Sequence, residues 1–112
     1  MSMTSSDLAA RKCEPCESGT GALKGDELRK LYGQIEGWNL VNEHHLEKEY
    51  RFKDFAEALA FVNRLGEVAE REGHHPDVFL TWGKVKVTLW THSVGGLSEN
   101  DFILAAKVDQ VR

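Results

Sequence analysis

Two hairpin-like segments and three amphipathic helical segments, met in the order α-β-β-α-β-β-α, assign this chain to the α+β class. The architecture expected is a two-layer sandwich, a four-stranded antiparallel sheet with three helices on one face. Three observations lead there. The hydrophobic period switches from helical to alternating and back, glycine and asparagine mark the switches, and 112 residues suffice for a single domain.

Residues 1–22 carry few large apolar side chains and end in Ser18-Gly19-Thr20-Gly21, which predicts a flexible N-terminal tail ahead of a domain over 23–112. In the first helix, Leu28, Leu31, Tyr32 and Ile35 fall at helical spacing after Gly25-Asp26, and Gly37 ends the pattern. Trp38–Val41 and Leu46–Phe52 are aromatic and β-branched and flank Asn42-Glu43-His44, so they read as a hairpin in which Leu46, Tyr50 and Phe52 share a face. On this reading His44 and His45 are solvated turn residues.

Asp54 is placed to cap a long second helix whose apolar stripe is Phe55, Ala58, Leu59, Val62, Leu65, Gly66 and Ala69, with Gly73 as its C-terminal stop. Val78–Thr81 and Lys84–Thr91 form a second hairpin around Trp82-Gly83. There Val85, Val87 and Leu89 alternate with Lys86, Thr88 and Trp90, the clearest strand signal in the chain. Ser98 followed by Asp101 matches a capping box that opens the third helix through Phe102, Leu104, Ala105, Ala106 and Val108.

Composition narrows the function. Fourteen basic against eighteen acidic residues give a formal charge of −4, which offers no positive face for phosphate, so neither nucleic acid nor an anionic membrane is an expected partner. Apolar runs such as Ala58–Val62 fall far short of the roughly 20 residues that span a bilayer. Met1–Ala10 has no apolar core of a secretory signal, which makes the cytoplasm the expected location. Cys13 and Cys16 sit in a polar stretch beside Pro15. The expectation is a solvated, non-catalytic pair, with a thiol switch or a metal shared between subunits as the alternative.

The chemical signal lies in the histidines. His74 and His75 follow the second helix and His92 ends the last strand. Imidazole, with an unperturbed pKa of about 6.5, both gives and takes a proton near neutrality, so three together point to acid–base work. Glu70 lies four residues before His74, one helical turn back, where a carboxylate can fix an imidazole tautomer. Pro76 forces His75 out of the helical region, so the two adjacent imidazoles should point apart and serve different ends.

Glu70-x-x-x-His74-His75-Pro76, then five residues to Trp82, nine more to His92 and eight more to Asp101, resembles the signature of the pterin-4a-carbinolamine dehydratase family. The resemblance extends to Trp38 and to Thr91-His92 and Gly96-Leu97-Ser98, covering about residues 24–109. It implies dehydration of a 4a-hydroxytetrahydropterin to quinonoid dihydropterin, the step that recycles the cofactor of aromatic amino-acid hydroxylases, without a metal or other cofactor. It also implies that His74, His75 and His92 surround the pterin. His74 and His92 would then transfer protons, His75 would contact substrate with proton transfer as a second catalytic role, Trp38 and Pro76 would contact substrate, and Glu70 and Asp101 would orient the imidazoles. Trp82 and Trp90 are open between pocket wall and packing, with core or subunit contact favoured for Trp90.

Two other readings compete. Members similar to this family act as protein partners, as a dimerisation cofactor of a homeodomain transcription factor in animals and as enzyme-assembly factors in plants, so a non-catalytic binding or assembly module is the alternative. A three-histidine zinc hydrolase is disfavoured, because His74 and His75 diverge and no HExxH helix is present. Open sheet edges and apolar helix stripes predict a homodimer or homotetramer.

Overall fold

The computed structural model describes residues 5–13 and 21–112. It comprises α1 (Ser5–Ala9), α2 (Gly25–Tyr32), β1 (Asn39–Val41), β2 (His45–Arg51), α3 (Phe55–Glu72), β3 (Asp77–Thr81), β4 (Lys84–Leu89) and α4 (Glu99–Gln110), with a 3-10 turn at His92–Val94 between β4 and α4. The expected α-β-β-α-β-β-α order is present, and α1 precedes it as a fourth helix.

The strands form one antiparallel sheet in the order β1-β2-β4-β3. Asn42 and Glu43 carry the positive φ angles of 52° and 54° that a tight hairpin turn between β1 and β2 requires. Leu46 pairs with Leu89, Lys48 with Val87 and Tyr50 with Val85, so alternation delivers one buried face. Leu46, Tyr50, Val85, Val87 and Leu89 enter the core there, and Lys84, Lys86 and Thr88 turn to the other face. That outer face is laced by ion pairs, Lys86 to Glu47 at 3.6 Å and Lys84 to Glu49 at 3.8 Å. At the β3–β4 turn Gly83 is obligatory, because a Cβ there would stand 2.8 Å from the Phe52 carbonyl oxygen.

Asp54 caps α3 as expected, its Oδ1 accepting the Glu57 N–H at 2.9 Å. The buried stripe, however, is Ala58, Phe61, Leu65, Val68 and Ala69, whereas Phe55 and Leu59 are exposed. The helix carries two adjacent apolar rows. The sheet takes the one bearing Phe61, whose ring packs 4.7 Å from Tyr50 and 5.2 Å from Phe52. α2 ends at Tyr32, one turn before Ile35, and Ile35 is nevertheless buried in the i→i+3 turn that follows.

The tail expectation needs correction where the structure describes it. α1 packs on α4 with Leu8 fully buried and Ala9 nearly so. Its docking follows from α4, where Phe102-Ile103-Leu104-Ala105-Ala106 are buried on every side and therefore need cover on the face away from the sheet. Arg11 pairs with Glu99, and the Cys13 N–H donates to Glu72 Oε1 at 2.9 Å, extending the dock. Cys13 is half-buried, its Sγ 3.6 Å from the Asn100 carbonyl, rather than solvated. Residues 1–4 and 14–20, Cys16 among them, lie outside the described residues.

α4 is anchored to the sheet at its C-terminal end by Asp109. That carboxylate accepts from Trp38 Nε1 at 3.1 Å, from Lys48 Nζ at 2.7 Å and from the Tyr50 hydroxyl at 2.5 Å. Burial of the ring is the main reason the Tyr50 hydroxyl is pushed far above the ordinary phenol range. The Asp109 hydrogen bond and charge reinforce this, and Arg112 opposes it.

Candidate active site

The site forms where α3 ends, β3 begins and β4 runs into the 3-10 turn. Gly73 adopts the left-handed conformation (φ 67°) that closes α3, and the His74 N–H returns to the Ala69 carbonyl at 3.2 Å. This fixes His74 at the helix terminus. Pro76 then commits the chain to β3, whose first residue, Asp77, pairs with Thr88 near the end of β4.

At the end of β4, Thr91 closes a short loop with Gly96, its N–H donating to the Gly96 carbonyl at 2.7 Å, and His92 projects from that loop in exposed position. Ser98 follows as the N-cap of α4, with its N–H donating to Asp101 Oδ2 at 2.9 Å.

Asp101 joins these pieces. It is fully buried, and its Oδ1 lies 2.5 Å from His74 Nε2 while its Oδ2 accepts from the Thr91 hydroxyl at 2.8 Å. The Thr91 proton is committed to the carboxylate, so the Ser98 hydroxyl, 2.8 Å away, donates to Thr91 Oγ1. An ionised Asp101 only accepts, and with it the hydrogen of this contact sits on His74 Nε2 and Nδ1 is left open. Asp101 thus both caps α4 and contacts His74.

Glu70 does not meet His74. Its Oε1 lies 3.6 Å from His75 Nε2 in an exposed pair, because the left-handed Gly73 swings His74 inward and away from the Glu70 face of the helix. The two adjacent imidazoles diverge as expected, one to Asp101 and the other to Glu70. Glu70, His75 and Pro76 line an apolar groove between α3 and β3 whose walls include Val62, Leu65 and Val78.

Trp38 is not brought to the histidines. It is 3% exposed, and its indole N–H is committed to Asp109, an anchor of the core rather than a pocket wall. Trp82 stands in the β3–β4 turn, 67% exposed. Trp90 stacks on His92, with ring centroids 3.7 Å apart and planes at 25°, and His44 leans on the same indole at 4.6 Å. His44, in the hairpin turn as expected, and His45, which opens β2, are thus half-buried members of a ring cluster and not solvated. The sequence marks Thr91 within the resemblance and Ser98 also as a helix cap, but not the hydrogen bonds that tie both hydroxyls to the Asp101 side of the site. Among the described residues no three His, Cys, Asp or Glu side chains gather in a group able to hold a metal, and no helix is long and apolar enough to cross a membrane.

Solved structures define the class first. The fold superimposes on a transcriptional coactivator/pterin dehydratase from Brucella melitensis with a TM-score of 0.76 and 32% identity, covering 81% of this chain and 98% of that one. A pterin dehydratase-like protein identified as a RuBisCO assembly factor in the alpha-carboxysome gives a TM-score of 0.58 at 26% identity, over 68% of this chain and 89% of that one.

The sequence profile of the pterin 4 alpha carbinolamine dehydratase family matches residues 21–111, and the chain belongs to that family of hydro-lyases. Two relatives are provisionally named pterin-4-alpha-carbinolamine dehydratase. The one from Alkaliphilus metalliredigens is 54% identical, with 93% of this chain and 95% of the relative covered. The one from Rubrobacter xylanophilus is 51% identical, with 95% and 99% covered.

Proposed function

We propose that this chain dehydrates a 4a-hydroxytetrahydropterin to quinonoid dihydropterin and water by histidine acid–base catalysis, in the recycling of a tetrahydrobiopterin-type cofactor. The observation that carries the proposal is the 2.5 Å contact of His74 Nε2 with the buried Asp101, whose other oxygen holds Thr91, the neighbour of His92. Loss of water from a carbinolamine needs a proton delivered to the departing 4a-hydroxyl and another removed from the adjacent ring nitrogen, so that the carbon–oxygen bond breaks as the carbon–nitrogen double bond forms. One protonated and one neutral imidazole meet that requirement, and each regains its starting state by exchange with solvent.

His74 and His92 take these two transfers, with His74 working through Nδ1. His75 contacts the substrate from the groove it shares with Pro76, with Glu70 3.6 Å from its Nε2. No metal or other cofactor enters the scheme. The functional unit is a homodimer or homotetramer. Phe79 and Trp82 are exposed at the β3 edge, and Phe55 and Leu59 on α3, apolar side chains that a second copy would cover. A monomeric mass by light scattering at micromolar concentration would remove that part of the reading.

The test is to follow the decay of the carbinolamine released by a pterin-dependent phenylalanine hydroxylase, with and without the chelator-treated protein. Acceleration that survives chelation supports the proposal. A folded protein that gives no acceleration overturns it and favours a binding or assembly role, the reading to which the RuBisCO assembly factor of similar fold lends weight.

A further inference from the structure

Two of the three site histidines have a polar partner, His74 in Asp101 and His75 in Glu70. His92 has none among the described residues. It is exposed, and what orients its ring there is the stack on Trp90, at 3.7 Å and 25°. The indole is itself braced. Leu89 pairs with Leu46 on the buried face, so strand alternation sends Trp90 to the outer face, beside the start of β2. There His44 packs 4.6 Å from the indole. His44 Nδ1 is 3.0 Å from His45 Nδ1, and His45 Nε2 is 3.2 Å from Glu47 Oε1. Glu47 Oε1 in turn lies 3.6 Å from Lys86 Nζ. A continuous row of side chains thus crosses the outer face from Lys86 to His92.

We propose that Trp90, braced by His44, is the positioning residue of His92, holding its imidazole in the plane that proton transfer to or from the pterin requires. This rests on the dehydratase reading above. The physical basis is entropic and geometric. An exposed histidine has two free side-chain torsions, and a flat ring stacked face to face removes most of that freedom without forming a hydrogen bond to either nitrogen, so both stay available to substrate. Trp90 touches no reacting atom in this scheme and acts through His92 alone.

The test compares Trp90→Leu, which keeps apolar bulk but offers no flat surface, with Trp90→Phe, which keeps an aromatic plane. Two readouts are taken, steady-state kinetics in the carbinolamine assay and the NMR signals of the His92 ring protons without substrate. The expected result is an upfield ring-current shift of His92 in the wild type that is lost in Trp90→Leu. With it kcat should fall about tenfold, less than the loss of the acid–base group itself, while KM changes less than about twofold. Trp90→Phe should restore most of both. An unshifted His92 in the wild type, an unchanged kcat in Trp90→Leu, or a rise in KM alone each overturns the proposal while the dehydratase reading stands. A wild-type protein without dehydratase activity overturns both.

Discussion

His74 Nε2 and Asp101 Oδ1 lie 2.5 Å apart, and the aspartate that makes this contact is also the carboxylate that caps α4 and receives the Thr91 hydroxyl. One buried side chain therefore touches an imidazole and ties the segment bearing His92 to the helix cap.

Asp101→Asn tests that coupling. A carboxamide can turn its NH2 group towards His74, which favours the opposite tautomer and moves the hydrogen to Nδ1. A fall in kcat of at least about tenfold is expected, with the circular dichroism spectrum unchanged. Full activity in the folded variant would show that the tautomer of His74 is immaterial.

Glu70 and His75 should respond differently from that pair. Their side chains are 80% and 60% exposed and 3.6 Å apart, so water screens most of the interaction. Glu70→Ala is expected to change kcat/KM by less than about threefold. His75→Ala should raise KM more than it lowers kcat, because its place is the groove beside Pro76. A loss in Glu70→Ala equal to that in Asp101→Asn would contradict the assignment of Glu70 to His75 alone.

Tyr50 predicts a specific alkaline weakness. Its hydroxyl is held above the usual phenol range chiefly by burial and then by Asp109. Below about pH 10 the folded and unfolded chains both keep this proton. Above it the unfolded chain releases the proton first and binds fewer, so stability falls by up to about 1.4 kcal/mol per pH unit from this group. Urea midpoints measured from about pH 9.5 to 11.5 should decline less steeply in Tyr50→Phe than in the wild type. Parallel declines would mean that Tyr50 is not the group responsible.

Leu8 is fully buried against α4 although it lies in a segment whose composition suggests a tail. Leu8→Ala should cost about 2–5 kcal/mol in urea unfolding, the range for a core leucine. A cost below about 0.5 kcal/mol would show that α1 contributes little to holding α4.

The sheet was legible because alternation in Val85, Val87 and Leu89 has one physical reading, a strand with one face buried. The apolar row chosen by α3 was not, since Phe55-Leu59-Val62 and Ala58-Phe61-Leu65 satisfy helical periodicity equally and only the tyrosine and phenylalanine across the interface select between them. In the candidate site, the spacing of the histidines and Asp101 was readable. The partners were not, because a left-handed Gly73 redirects His74 after the helix ends, and i to i+4 reasoning holds only inside it. Trp38 misled for a related reason, since the Asp109 that claims its indole lies 71 residues away in sequence. α1 left a trace in the five consecutive apolar residues Phe102–Ala106, too many for one helix face, but nothing in the first ten residues marks Leu8 as their cover.

The most direct measurement is the decay rate of the pterin carbinolamine catalysed by His74→Ala and by His92→Ala, with folding verified for each. The account predicts that either substitution lowers kcat by roughly 10² to 10⁴, the range of general acid–base catalysis. If both variants dehydrate the carbinolamine at the wild-type rate, the proton transfers do not pass through these imidazoles and the mechanism is wrong.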